Sequence, residues 1–587
     1  MESGLLPYTP AVAYFSMEIA LEPHIPTYAG GLGVLAGDIL CSAADLEVPM
    51  AAVTLLHRKG YFQQRLDATG RQSEESDAWS PERKLELLPI VVTVQIEGRK
   101  VRIRPWLYKV SGLNGHKVPV FLLDTALPEN SPADRALTDS LYGGDACYRL
   151  RQETVLGLGG VAVLRKLGYN SDLIFHMNEG HSALLTLGLL EERLKNTRSS
   201  TITPADIESV RSHCVFTTHT PVPAGHDQFS RDLAGHVLGL ERVSLLDKTD
   251  CLFNGALNMT YLGLRFSRYV NGVSMRHGEV SVGMFPGYPV QAITNGVHAT
   301  RWTAEPLAEL YDRYMPGWRH DNRYLRYAIN IPLHEIQATH ARVKNALLND
   351  VAKRTGVRLR DDVFTIGFAR RTTPYKRADL LFRDIARLRE IPKRSGPLQV
   401  LYAGKAHPHD GDGKWMIRRI FSVARELQEN IRVVYLEDYD MELGKSLVSG
   451  TDLWLNTPRR PQEASGTSGM KAACNGVPSL SVLDGWWVEG HIEGVTGWSL
   501  QDAAITAIDE SAEVAALYDK LERVILPLYY RRPNDYTAVM RSAIALNASF
   551  FNTQRVVLQY VRNAYSGNGK PDTEHLQRNP KVSEELW

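Results

Sequence analysis

From Val363 onward the chain repeats one pattern: a short apolar run stops at Gly, Asn or Asp and gives way to helical periodicity. VFTIGFA reads as a strand and RADLLFRDIARLREI as the helix behind it. LQVLYAG and IRVVYLE read as strands, followed by the helices WMIRRIFSVARELQE and MELGKSLVSG. DLWLN, a helix through Met470 and Lys471, and the strand PSLSVL complete the series. Continuous apolar strands alternating with amphipathic helices predict a parallel sheet covered on both faces, a doubly wound α/β fold. Ligands of such sheets bind beyond the carboxyl ends of the strands, so the polar clusters that end the apolar runs are where a site is expected.

The first half is less regular. VVTVQIEGRKVRIRPWLY alternates and predicts antiparallel strands, while DLIFHMN, CVFTTHT and VQAITNG are strand-like runs ending at polar clusters. At 587 residues the chain is too long for one ordinary core. The expected division is a doubly wound domain over 1–295, a second over 296–565 and a polar, mobile tail over 566–587, with the boundary near Asn295–Trp302. Long amphipathic helices are expected over Pro332–Arg354 and Asp535–Tyr565, the second packing back on the first domain. Two such domains facing each other put strand ends on both sides of one cleft.

A formal net charge of +1 gives no global attraction to nucleic acid or to an anionic membrane. No apolar run reaches membrane-spanning length, and MESGLLPYTP lacks the pattern of a signal peptide. Five scattered cysteines without a CxxC pair read as reduced thiols of a cytoplasmic protein. His176 and His181 do not share a helical face, and no HExxH occurs, so no metal site is expected.

Three segments carry candidate chemistry. Tyr28-Ala-Gly-Gly-Leu-Gly33 precedes a helical run, where amides at a helix start offer an anion site; on spacing alone, a turn that merely tightens a strand–helix connection is the favoured reading. Ala369-Arg-Arg-Thr-Thr-Pro-Tyr-Lys-Arg377 sets four cations at a strand end, suited to phosphate or to plain solvation. In Thr457–Lys471, small residues from Ala464 to Gly469 precede a helix whose first turn holds Lys471 beside Met470, Ala472 and Ala473. A lysine in apolar surroundings is depressed in pKa and can form a Schiff base; alone, it reads as an ordinary helix lysine.

Together the segments resemble the glycogen and maltodextrin phosphorylases, above all their short prokaryotic branch. The resemblance runs from Ala13-Tyr-Phe-Ser-Met-Glu18 to Leu483-Asp-Gly-Trp-Trp487 and is most specific in YAGGLGVLAGD, ARRTTPYKR, AGKAHP and EASGTSGMKAACNG. It implies two Rossmann-like domains around a cleft, the GT-B architecture, and pyridoxal 5′-phosphate held as an imine by Lys471. It implies transfer of the terminal glucosyl unit of an α-1,4-glucan to orthophosphate, in an enzyme that is often a homodimer. Thr467, Ser468 and Arg370 then correspond to the groups that hold the cofactor phosphate, and Tyr439 to a tyrosine at its edge. Arg371 and Lys376, with amides at Gly30 and Gly31, correspond to the grip on the substrate phosphate. Glu463, Ser465, Gly466 and Asn295 correspond to glucose contacts, and Glu179 and His181 to a pair at the cleft edge. Three positions depart from the longer enzymes: Ala20 replaces an aromatic, Asp440 replaces an arginine for which Arg459 or Arg460 could substitute, and Arg268 replaces a histidine at the glucose 6-hydroxyl. The competing readings are a nucleotide-sugar-dependent glucan synthase and a glucan-binding relative without activity.

Overall fold

The structure, a computed structural model, describes residues 12–169, 173–199, 201–222, 225–249, 251–500 and 509–566. The amino-terminal MESGLLPYTP and the expected tail beyond Ser566 lie outside them. The fold is mixed α/β, built on two sheets with parallel cores.

The first sheet has ten strands. In chain order they are β1 (Val12–Ser16), β2 (Met50–Leu55), β3 (Glu86–Leu87), β4 (Val92–Ile96), β5 (Arg99–Ser111), β6 (Lys117–Asp124), β7 (Ile174–Asn178), β8 (Cys214–Thr217), β9 (Tyr269–Gly272) and β10 (Gln291–Ala292). Their spatial order is β10-β9-β8-β7-β1-β2-β6-β5-β3, with β4 paired to β5. The centre is parallel, Val12 opposite Met50 on one side and Ile174 on the other. The expected antiparallel hairpin is β4–β5, with Ile96 opposite Arg99. Every residue of β1 and β2 is buried, as strands covered on both faces must be.

The second sheet is wholly parallel: β11 (Phe364–Ala369), β12 (Leu398–Ala403), β13 (Arg432–Leu436), β14 (Leu453–Asn456), β15 (Ser479–Ser481) and β16 (Gly497–Ser499), in the order β13-β12-β11-β14-β15-β16. Five helices position the site: α1 (Gly31–Asp45), α2 (Leu333–Thr355), α3 (Gly411–Leu427), α4 (Met441–Gly450) and α5 (Thr467–Cys474). On α3 the buried residues Met416, Ile417, Ile420, Val423 and Leu427 form one stripe, which turns the charged remainder outward. Ala20 and Val34 of the first half belong to the same core cluster as the second sheet.

Two expected helices differ. The segment after β11 does not continue as a helix from Arg377. Arg377 takes a left-handed backbone (φ 47°), and the helix begins only at Ile385, where the Asp384 carboxylate accepts from the Arg387 N–H at 2.9 Å. The helix expected over Asp535–Tyr565 is interrupted. Helical chain from Pro533 ends by Ala548, and a new helix, α6 (Thr553–Tyr560), starts where Asn552 caps the Arg555 N–H at 3.0 Å. The break lets Asn552 pair with Val297, and Val557 of α6 joins the core between α1 and the first sheet.

Candidate active site

Between the sheets lies a cleft of about 760 Å³. Its lining comes from the carboxyl ends of strands in both sheets. Arg370, Arg371 and Lys376 follow β11; Lys405 and His407 follow β12; Tyr439 and Asp440 follow β13; and Glu463–Ser468 with Lys471 follow β14. From the first sheet come Glu18 and Tyr28–Gly31 after β1, Glu179 and His181 after β7, His219 after β8, and Asn295 after β10. All fifteen candidate site residues line this one cleft.

Two cations on one wall close on a single carboxylate, and a third, Arg371, lines the cleft next to Arg370. Arg370 Nη2 and Lys376 Nζ both donate to Glu463 Oε2, at 2.7 and 2.5 Å. Burial pushes the Glu463 carboxyl up, but Arg370 and Lys376 outweigh it and hold the group at about 2. Nε and Nη1 of Arg370 are buried without a hydrogen-bond partner, and Arg371 is exposed to the cleft with no carboxylate partner among the described residues. Buried N–H groups left unpaired are costly, so two free guanidinium nitrogens beside a second arginine point to an absent anion. Across from them, α1 starts at Gly31, and its first-turn amides lack intrahelical acceptors. A Cβ at Gly30 or Gly31 would meet nothing within 4 Å, so this turn faces open cleft. The Gly30 amide is already engaged, donating to Glu18 Oε2 at 3.1 Å alongside Ala29 at 2.6 Å. Of the two glycine amides expected to assist the phosphate grip, that of Gly30 is thus shared with Glu18.

Glu463 makes acid stability testable. Its folded pKa lies below the unfolded carboxyl value near 4, so its contribution is full above that value and lost as pH falls from there through about 2. Thermal midpoints measured from pH 5 to pH 2.5 are expected to fall more steeply for the native chain than for Glu463→Gln.

Lys471 lies on the second turn of α5, not the first, since that helix begins at Thr467. Burial pushes its ammonium down to about 8, with Asp38 opposing and Arg301 adding to the shift. Nζ sits 3.8 Å from the centre of the Trp302 ring. That ring is fixed by the Trp302 Nε1–H donating to Asp38 Oδ2 at 2.7 Å, and Arg301 donates to Asp38 Oδ1 at 3.3 Å. At the helix start, Gly466 takes a left-handed backbone (φ 86°), which turns the chain so that the amides of Thr467 and Ser468 open α5 toward the cleft. Tyr439 closes this corner, and burial pushes its phenol up to about 12.

The opposite wall is built to hydrogen-bond. Glu179 takes φ 76° and accepts from the His219 N–H at 2.7 Å and Thr220 Oγ1 at 3.0 Å. His219 Nε2 lies 2.7 Å from Asn178 Oδ1. His181 Nε2 lies 3.1 Å from Arg149 Nη2 and 3.3 Å from Asp227 Oδ2, while its Nδ1 is buried without a partner. Asn295 is held by its backbone, its amide N–H donating to Val273 O at 3.0 Å. Ser465 Oγ is another buried, unpartnered group on the lining.

Several sequence expectations need correction. Arg268 is not at the cleft: its Nη2 donates to the carbonyls of Ala564 and Tyr565 at 2.8 and 3.0 Å, and His219 occupies the cleft instead. The fourth cation of the basic run, Arg377, is structural, donating to Thr457 O and Pro458 O and pairing with Glu513 at 2.5 Å. Neither Arg459 nor Arg460 reaches the lining beside Asp440, which caps α4 by accepting from the Leu443 N–H at 2.8 Å. Ala20 lies under α1, so close that a Cβ at Gly37 would come within 2.0 Å of its carbonyl oxygen. Glu18, Tyr142, Arg149, Asp227 and Trp302 carry no local signal in the sequence, because only the fold brings them to the site. Among the described residues, no group of His, Cys, Asp and Glu could hold a metal ion, and no helix is long and apolar enough to cross a membrane.

Residues 227–497 match the carbohydrate phosphorylase family. The chain is 37% identical to a maltodextrin phosphorylase of Thermococcus litoralis, over 94% of this chain and 70% of that protein. It is 36% identical to a glycogen phosphorylase of Aquifex aeolicus, over 95% of this chain and 86% of that protein. An uncharacterized protein of Methanocaldococcus jannaschii is 33% identical over 94% of this chain and 99% of its own length.

Proposed function

The chain belongs to the carbohydrate phosphorylase family, and from that premise we propose that it is an α-glucan phosphorylase working with pyridoxal 5′-phosphate. It transfers the non-reducing-end glucosyl unit of glycogen or maltodextrin to orthophosphate, with retention, and releases α-glucose 1-phosphate. Domains over 1–295 and 296–565 form the two walls of the cleft. A cytoplasmic location belongs to the same reading.

One observation carries this reading: Arg370 keeps two buried guanidinium nitrogens unpaired and Arg371 meets no carboxylate among the described residues, so the lining has cations to spare. Glu463 is held ionised at about 2. Glu179 and Asp227 are likewise held below the carboxylate range, the histidines around Glu179 and the His181 and Arg149 contacts of Asp227 outweighing burial. Asp145 and Asp440 cap helices, and Glu18 accepts from two amides and from Tyr142. A glycosidase needs a protonated carboxyl beside the leaving oxygen and a second carboxylate at the sugar. In this reading the proton comes from phosphate, which the spare cations hold.

The residues fit the cofactor. Lys471, depressed by burial, supplies the amine. Arg370, with two unpaired guanidinium nitrogens, and the amides of Thr467 and Ser468 supply a seat for its phosphate. Bound there, the cofactor supplies a phosphate able to exchange a proton with the substrate phosphate. Arg371, Lys376 and the Gly31 amide hold the substrate phosphate, which gives its proton to the departing glycosidic oxygen and takes the glucosyl unit on the same face. Two phosphates brought together repel strongly in a poorly solvated cleft, so three cations against one carboxylate are what the chemistry requires. Glu463, Ser465, Gly466, Asn295, His181 and Glu179 orient the sugar.

A nucleotide-sugar-dependent synthase is separated by co-substrate. Consumption of orthophosphate with maltodextrin, and none of UDP-glucose or ADP-glucose, is expected. Transfer from a nucleotide sugar without orthophosphate would overturn the reading.

A further inference from the structure

A second, smaller cavity of about 160 Å³ shares no residue with the cleft. It lies at the other end of two strands that feed the cleft. β8 runs from Cys214 toward the turn at His219, and Arg211 precedes it; β9 runs from Tyr269 toward Val273, and Arg268 precedes it. Four strand residues span roughly 13 Å, so the two sites are on opposite edges of the sheet.

Three arginines, Arg211, Arg265 and Arg268, line this cavity, and among the described residues none of the others lining it is acidic. The contacts of Arg211 and Arg268 leave their charge largely uncompensated. Arg211 Nε donates to the Ser267 carbonyl at 3.2 Å, and its carboxylate neighbour, exposed Glu208, is 3.6 Å away, a separation and setting worth little. Arg268 is anchored on the carbonyls of Ala564 and Tyr565. Burial lowers the Arg268 guanidinium, in keeping with a cation that has no carboxylate beside it among the described residues. Between them Ser267, 2% exposed, carries a hydroxyl with no hydrogen-bond partner. An unpaired buried hydroxyl among forked cations is a mixed donor set for a tetrahedral oxyanion.

We propose that this cavity binds the phosphate group of a small molecule, with Arg211 and Arg268 carrying its charge and Ser267 Oγ donating to one oxygen. A dianion suits two arginine forks and a hydroxyl donor better than a carboxylate does, and the volume admits a phosphate with a small substituent but no oligosaccharide. The site is separate from the reaction, and its occupancy does not depend on what the cleft catalyses.

The test is equilibrium dialysis of the holoenzyme against labelled orthophosphate, and separately against glycerol 3-phosphate, at low ionic strength. The Lys376→Ala enzyme, weakened in the cleft, is expected to retain one phosphate per chain. Adding Arg211→Ala, or separately Ser267→Ala, is expected to weaken that remaining binding; loss of one charge-assisted contact at Arg211 corresponds to about tenfold or more. Arg211 is partly exposed and Ser267→Ala removes only an oxygen, so neither variant depends on rebuilding the core. Tighter binding of glycerol 3-phosphate identifies a phosphomonoester as the ligand, and equal or tighter binding of orthophosphate identifies the free ion. No phosphate bound to Lys376→Ala, or binding unmoved by both added substitutions, overturns the proposal.

Discussion

Replacing Lys376 with alanine is expected to lower kcat/KM for phosphorolysis by about 10²–10³-fold or more while the cofactor stays bound. Lys376 Nζ is buried against Glu463 and sits above the Tyr375 ring at 4.4 Å, so its charge acts in a site where water screens little. Arg370 remains paired with Glu463 in the variant, so the carboxylate keeps one cation and the wall keeps its shape. The loss then falls on the substrate phosphate. Lys376→Arg is not expected to restore full activity, because a planar fork does not reproduce a point charge at the same oxygen. The checks are initial rates of glucose 1-phosphate release together with cofactor absorbance. Near-normal turnover in Lys376→Ala would remove this residue from the phosphate grip.

Replacing Lys471 with alanine is expected to have a still larger effect, because it removes the attachment itself. After reconstitution with pyridoxal 5′-phosphate and reduction with borohydride, the native chain should carry one label, on Lys471. Lys471→Ala should carry none and should lose at least the roughly 10²–10⁴-fold that a positioned acid–base group contributes. The reactivity of the site should also follow the lysine. With its pKa near 8, the unloaded protein should capture the aldehyde increasingly well as pH rises through 8, well before an ordinary lysine would. A label elsewhere in the native chain, or none, would detach the cofactor from α5.

Much of this site is readable in the sequence because each element reports its own chemistry locally. Strands β11 to β14 are largely apolar runs, and the polar segments after β11 and β14 begin directly at the strand ends. The Arg370–Lys376 and Glu463–Lys471 stretches can therefore be placed without knowing the packing. The parts that stay hidden depend on three-dimensional meeting. Glu463 reads as a sugar ligand; nothing in its neighbourhood shows that Arg370 and Lys376 will both close on its Oε2. Glu18 takes the Gly30 amide across a turn, and Asp38 orients Trp302 under Lys471 over a separation of more than 260 residues. Arg268 is misleading in the sequence because a cation before a strand looks the same at either end of the sheet. The helix break before Thr553 is hidden because the apolar period runs through it; Asn552 caps, and Val297 pairs, only once the chain has folded.

Transfer of glucose to orthophosphate in the cleft is tested most directly by incubating the reconstituted protein with maltodextrin and orthophosphate and monitoring the sugar phosphate by ³¹P NMR. α-Glucose 1-phosphate is expected as the first product, dependent on both orthophosphate and cofactor. Free glucose or maltose in its place, the β-anomer, or an undiminished rate without orthophosphate would contradict that transfer.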